Sequence, residues 1–308
     1  MSRVYVSLPL TGTAARLGRE VLRGAELALD GSVDLVVLDS DAGEDREETA
    51  IANAERAVED DRALAYLGDF FSDQVQVTAP LLADAGLLAV APVATYIGLG
   101  GPTLVRLSPH DGVGARAIAS WLCEAGVDEL LVVHDHDSFY GDPVGAMCEK
   151  AAGERGVRVR RRPVWNWDEP PSYDLEGAGA VLYVGVAGSG AIDLWSTLHE
   201  ADPSLWLVGS EGVAVPWLAR ELEPGAADRT RFFIAQRAAF SFYGYEAMAL
   251  IQDSLAAAVD RHGAVEVART TRDRDSVIGC YSVDRDGHTT STAYGRLAVV
   301  GGELVWDR

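Results

Sequence analysis

The sequence predicts an α/β protein of two lobes, each built on a parallel sheet with helices on both faces. Three observations carry that expectation. Short, unbroken apolar runs alternate with longer segments whose apolar residues recur at helical spacing, and a strand buried on both faces reads as such a run. The chain has 308 residues, more than one ordinary core fills and suited to two lobes. The strand–helix cycle restarts after Pro109 without a Gly/Ser-rich linker, so short crossings rather than a tether join the lobes.

Each element has its own signal. The run "RVYVSL" at 3–8 is followed by a helical pattern at 14–30, in which Leu17, Val21, Leu22, Ala25 and Leu29 form one face. "VDLVVLD" precedes an acidic segment, 44–61, whose Ala50, Ala54, Ala57 and Val58 share a face. Then come "ALAYLG", a helix from Ser72, "LLAVA" and "TLVRLS". The second cycle gives a helix at 111–125, strand "ELLVVHD", a helix at 140–153, strands "VRVRRRPV" and "AGAVLYVG", a helix at 189–201, and strands "LWLVGS" and "RFFIAQ". The clearest helix spans 243–261, with Ala247, Ile251, Leu255 and Val259 in register. The tail, 277–307, reads as short strands and turns, with "DRDG" and "VGGEL" as hairpin-like signals.

Composition excludes several roles. The net charge of −21 opposes binding to a duplex or a membrane surface, both polyanionic. The arginines at 158, 160, 161 and 162 read as the solvent side of a strand. No apolar stretch approaches the ~20 residues that span a bilayer. "MSRVYVSLPL" lacks the charged and apolar regions of a signal peptide, so either the protein is cytosolic or a leader has been removed. Cys123, Cys148 and Cys280 show no CxxC spacing, and buried thiols without an intrachain disulfide are expected. "PLTGTAARLG" is not GxGxxG, and neither GxxxxGK[ST] nor GxSxG occurs. "HDHD" at 134–137 offers two same-side histidines, too few to specify a metal site. No catalytic residue, metal or cofactor is expected.

In open α/β sheets, ligands bind outside the carboxyl ends of the strands. Ser72 and Thr95 each follow an apolar strand and should open toward one rim. A hydroxyl and unpaired N–H groups at a helix start favour an anion, although Ser72 could simply cap its helix. Tyr140 could pack against its turn, and Glu211 could face solvent. Trp165 and Trp167 read as loop packing.

These rim segments resemble the type I periplasmic binding proteins of the branched-chain amino-acid class. The likeness rests on "SLPLTGTAARLGREVLRGAELALD", "YLGDFFSDQVQVTAPLLADAGLLAVAPVAT", "LVRLSPHDGVGARAIASWL", "VVHDHDSFYGDPVG", "LVGSEGV" and "FYGYEAMALI", in order over most of the chain. It implies two Rossmann-like lobes, three crossover strands and a ligand cleft between the lobes. The crossings fall near 109–111, 236–238 and 279–281, giving lobes of 1–109 plus 238–279 and 110–237 plus 280–308. The resemblance implies that Ser72, Thr95 and the backbone of Val93 hold a ligand carboxylate. It implies that Tyr140 and Glu211 face the ligand's ammonium. Two positions depart from the family: a second ammonium-facing tyrosine is matched by Ala187, and an aromatic residue of the first loop by Leu17.

The expectation is a non-enzymatic solute-binding protein that captures an amino acid or related small carboxylate by hinge closure and presents it to an ABC-transporter permease. The hinge strands would include 109–111 and 232–237. Such a protein is periplasmic or extracellular, with or without a lipid anchor, if a leader was removed, and cytoplasmic if the start is native. The alternative keeps the fold and makes it a ligand-sensing receptor or regulator domain. An enzyme on a doubly wound fold is the weakest reading, because no nucleophile–base pair or cofactor loop is present.

Overall fold

Alternation along the first strand sets the layout of the first unit. β1 (Ser2–Leu8) sends Val4, Val6 and Leu8 into one core and Tyr5 into another, because successive side chains leave a strand on opposite faces. There follow α1 (Ala15–Ala28), β2 (Val33–Asp39), α2 (Arg46–Glu59), β3 (Ala63–Leu67), α3 (Ser72–Asp84), β4 (Leu88–Ala91) and β5 (Leu104–Arg106). These strands pair in the order β2-β1-β3-β4-β5, all parallel. Ala65, Leu67, Leu88 and Val90 join the first core, while Ala63, Tyr66, Ala89 and Ala91 join the second. The second core is closed by Ala54 and Ala57 of α2 and Val75, Ala79 and Leu82 of α3. Asp45 starts α2 by accepting the N–H groups of Glu47 and Glu48, a capping arrangement of about 1 kcal/mol.

The second unit repeats the logic. It contains α4 (Asp111–Glu124), β6 (Glu129–Asp135), α5 (Gly141–Gly153), β7 (Arg158–Val164), β8 (Ala180–Val184), α6 (Ser189–Ala201), β9 (Trp206–Gly209), α7 (Pro216–Glu221), α8 (Pro224–Asp228) and β10 (Thr230–Ile234). Leu130 and Val132 pack with α4 and α5 on one face of the sheet, and Leu131 and Val133 with α6, α7 and α8 on the other. The edge strand β7 carries the arginine cluster: Arg158 and Arg160 pair with Glu129, and Arg161 pairs with Glu149. Arg158 and Arg162 are exposed, as the solvent-side reading expects, whereas Arg160 and Arg161 are half-buried against their carboxylate partners, so that reading holds for two of the four. The chain then returns to the first unit for α9 (Phe240–Ala256) and α10 (Arg261–Arg269) and ends in the second with β11 (Gly295–Val300) and β12 (Glu303–Trp306).

This structure is a computed structural model that describes residues 2–136, 140–167, 173–185, 189–235, 238–258, 260–292 and 294–307. Among these, the second sheet runs β12-β11-β10-β9-β8-β6-β7. It is parallel from β7 to β10 and antiparallel at β11 and β12. The "VGGEL" signal is the β11–β12 hairpin, turning on Gly301 and Gly302, both at positive φ.

The units divide the chain as Met1–His110 with Gln236–Ala293, and Asp111–Ala235 with Tyr294–Arg308. The sequence placed the third passage near 279–281, whereas residues 280–292 stay with the first unit. Three contacts hold them there. The Tyr281 hydroxyl donates to Glu246 at 2.7 Å, His288 forms a β-bridge with Arg106, and the Thr289 hydroxyl donates to the Leu107 carbonyl at 3.2 Å. Residues 236 and 237 of the second passage lie outside the described residues. The long helix starts at Phe240 and ends at Ala256, earlier than the expected 243–261, and Val259 lies outside the description. The short helices α7, α8 and α10 were not expected. All three cysteines are free, but only Cys148 is buried; Cys123 and Cys280 are exposed. Cys123 lies beside the exposed Glu124 at the end of α4, and Cys280 follows the exposed Gly279, so the expectation of buried thiols is corrected at these two positions.

Candidate functional site

The carboxyl ends of β1 to β4 bring four loops to one rim of the first unit. The β1 and β2 loops are tied by Asp39, whose carboxylate accepts the Leu10 N–H at 2.8 Å and the Thr11 hydroxyl at 2.7 Å. The β3 loop, Phe70–Phe71–Ser72, is tied to the β4 loop by Ser72. Its Oγ accepts the N–H of Thr95 at 3.3 Å and of Tyr96 at 3.2 Å. Ser72 therefore does not cap its own helix; Phe71 holds the N-cap position and makes no side-chain capping bond. A hydroxyl has two acceptor lone pairs and one proton. With both acceptor sites directed at backbone N–H groups, the proton is the part of Ser72 able to meet a further acceptor. Thr95 and Val93 are buried, and Leu17 is half-buried on α1. Gln74, fully buried, anchors the start of α3 by donating to the Ser40 carbonyl at 2.7 Å and the Arg46 carbonyl at 3.0 Å.

Directly before this loop lies Asp69, which the sequence did not single out. It is fully buried and accepts hydroxyl bonds from Tyr66 at 3.0 Å and Thr78 at 2.8 Å. Burial pushes its pKa from 3.8 up to about 6, against the pull of the hydroxyls of Ser7, Thr78 and Tyr66. The native state thus holds the Asp69 proton more tightly than the unfolded chain. The stability linked to this group is complete at low pH and is lost as pH rises through about 6. Between about pH 4 and about pH 7 the parent should lose about 2–3 kcal/mol relative to Asp69→Asn, which has no proton to release. Urea melts of both proteins across that range provide the measurement, and superimposable pH profiles would rule the shift out.

At the carboxyl rim of the second sheet, Glu211 begins a 3-10 turn, Glu211–Val213, just after β9. Its Oε2 accepts the Ala235 N–H at 3.2 Å and the Tyr294 hydroxyl at 3.3 Å. Gly212 permits a close approach: a Cβ there would lie 2.2 Å from the Gly185 carbonyl oxygen and 3.3 Å from the Tyr140 ring. Tyr140 sits at the start of α5. Burial, and then the carboxylates of Asp111 and Glu211, hold its phenol well above the usual range. Burial followed by the same two carboxylates, Glu211 first, does so for Tyr294. Both phenols are therefore neutral donors at physiological pH. Tyr294 was absent from the sequence reading; a lone tyrosine just before β11 carries no local signal. Ala187 lies outside the described residues.

The first unit thus gathers Ser72 with Thr95, and the second gathers Glu211 with Tyr140. The first group is rich in hydrogen-bond donors and suits an anionic oxygen. The second, a carboxylate beside two phenol rings, suits a cation. Trp167 packs against the second unit's core and donates to Asp135 at 3.1 Å, as loop packing predicts, whereas Trp165 is exposed. His134 is buried, with Nδ1 3.3 Å from the Asp135 carbonyl. Among the described residues no group of three or more His, Cys, Asp or Glu could hold a metal ion, and no helix is long and apolar enough to cross a membrane.

Comparison with known proteins adds the following. The family model described as "Periplasmic binding protein" matches residues 3–205. A "Leu/Ile/Val-binding protein homolog 3" of Brucella melitensis is 26% identical over 230 residues, covering 68% of this chain and 61% of the relative. An "Amino acid binding protein" of Pseudomonas aeruginosa is 26% identical over 170 residues, covering 50% of this chain and 44% of the relative. The chain therefore spans less than two thirds of the length of either curated relative. Among solved structures, a leucine-binding protein from Thermotoga maritima superposes with a TM-score of 0.82 at 19% identity, over 100% of this chain and 98% of that one. At that identity the likeness is one of fold.

Proposed function

The chain belongs to the periplasmic binding protein family, and from that premise we propose that it captures an α-amino acid or a similar small carboxylate by hinge closure and hands it to an ABC-transporter permease. The family is one of binding and transport rather than catalysis. The observation that carries the ligand class is the Ser72 hydroxyl, fixed by the N–H groups of Thr95 and Tyr96 so that its proton is available to an anion. In this reading Ser72, Thr95 and the Val93 backbone take the carboxylate, Glu211 and Tyr140 take the ammonium, and Leu17 and Ala187 replace two aromatic residues of the family's ligand site. The names of the Brucella and Pseudomonas relatives, and that of the Thermotoga structure, support an amino-acid ligand. A ligand favours a closed form only through its differential affinity for it. The reading carries with it a periplasmic or extracellular location.

A thermal-shift screen of the twenty protein amino acids and of small organic acids tests the proposal. A ligand present at 100 times its Kd stabilises the native state by about 2.7 kcal/mol, so a true ligand raises Tm measurably. No shift with any compound would sink the reading. Against the ligand so found, Ser72→Ala should cost about 0.5–2 kcal/mol of binding, one hydroxyl among several donors. Calorimetry reads this directly, and unchanged affinity would remove Ser72 from the site.

A further inference from the structure

We infer that Tyr294 is a positioning residue of the second unit's cation-facing group. Its hydroxyl fixes the Glu211 carboxylate, and its ring completes, with Tyr140, the aromatic side of that group. This rests on the amino-acid reading above. Two donors to Glu211 Oε2 come from one ladder. β10 and β11 pair antiparallel, with Ile234 opposite Gly295 as the last pair. Ala235 and Tyr294 are the next residue on each strand, and each donates to the same oxygen, at 3.2 and 3.3 Å. The carboxylate is therefore aimed by the end of the sheet rather than by a loose loop. A phenol donating to a carboxylate is a charge-assisted bond that favours the ionised acceptor.

The ring has a seat made for it. Gly114, in the first turns of α4, lies so close that a Cβ there would stand 2.5 Å from the Tyr294 ring. Tyr294 remains half-buried, so part of its surface stays open. The negative face of an aromatic ring attracts a cation held near a carboxylate. Packing alone needs only the ring. The hydroxyl directed at Glu211 is the feature a purely structural residue does not require.

The test compares each amino acid with the same molecule lacking its ammonium. The probes are L-leucine with 4-methyl-2-oxopentanoate, and L-phenylalanine with phenylpyruvate, measured by calorimetry on the full chain. Tyr294→Phe should bind the amino acid about five- to twentyfold more weakly and leave the oxo acid unchanged. Gly114→Ala, which pushes the ring off its seat, should give the same selective loss, and Thr292→Ala, at an exposed position, no loss. Urea midpoints of the variants establish that they are folded. Equal weakening of amino acid and oxo acid, or no weakening of either, overturns the role of Tyr294. The amino-acid reading survives that outcome, provided the parent binds an amino acid and Glu211→Ala does not. If the parent binds none of the twenty protein amino acids in the thermal-shift screen, the role of Tyr294 falls together with the amino-acid reading, because there is then no such ammonium for Glu211 to meet.

Discussion

Glu246→Ala lowers the stability of the first unit by about 3–5 kcal/mol, the cost of breaking a buried ion pair by removing one partner. Glu246 sits on α9 among Tyr243, Ala247, Met248 and Leu250, all buried. Its side chain is 3% exposed, and Arg274, which donates to Oε1 at 2.5 Å, is 20% exposed. The Tyr281 hydroxyl donates to the same oxygen at 2.7 Å. Alanine leaves the phenol without that acceptor and the guanidinium with Asp253, at 2.7 Å, as its remaining ionic partner. Glu246→Gln keeps the shape and one acceptor but loses the charge, so about half the penalty is expected. Because the chain has two units, the urea melt is followed by probes in each, and the shift is expected at the first unit's midpoint. Both variants melting within about 0.5 kcal/mol of the parent would show that this network does not hold the 270–292 segment in place.

The same network shows what the sequence could and could not disclose. "FYGYEAMALI" was legible as a helix because its apolar residues repeat at helical spacing, and separately it resembles a motif of the family. The reason for the glutamate inside it was not legible, since Arg274 and Tyr281 are 28 and 35 residues away. For the same reason the third passage was placed too early: tertiary bonds to residues distant in sequence, those of Tyr281 and Thr289 among them, keep 280–292 with the first unit. Ser72 and Thr95 were readable as neighbours, since each follows a strand of one parallel sheet. That Ser72 binds the β4 loop rather than caps α3 depends on where Thr95 and Tyr96 point their N–H groups, which no spacing encodes. Tyr294 depends on the register of β10 against β11. The continuous apolar strands, by contrast, declared themselves, because burial on both faces leaves a local record in composition.

Glu211→Ala should nearly abolish binding of an α-amino acid. The amino group of such a ligand carries a full charge, and truncating one partner of a desolvated charge pair costs ~2–5 kcal/mol, about 30-fold or more in affinity. The effect should exceed that of Ser72→Ala, since a carboxylate on a cation is a stronger contact than one hydroxyl among several donors. The carboxylate also organises its neighbours: without it, the Ala235 N–H and the Tyr294 hydroxyl lose the oxygen they share. Glu211→Gln separates the two effects. It keeps an acceptor for those donors but presents a neutral amide to the ligand, so loss of charge recognition alone should still cost most of the affinity. Calorimetry with the amino acid found in the thermal-shift screen decides the matter. If Glu211→Ala binds as tightly as the parent, no cation meets that carboxylate, and the ligand is a neutral or purely anionic solute held by the Ser72 side alone.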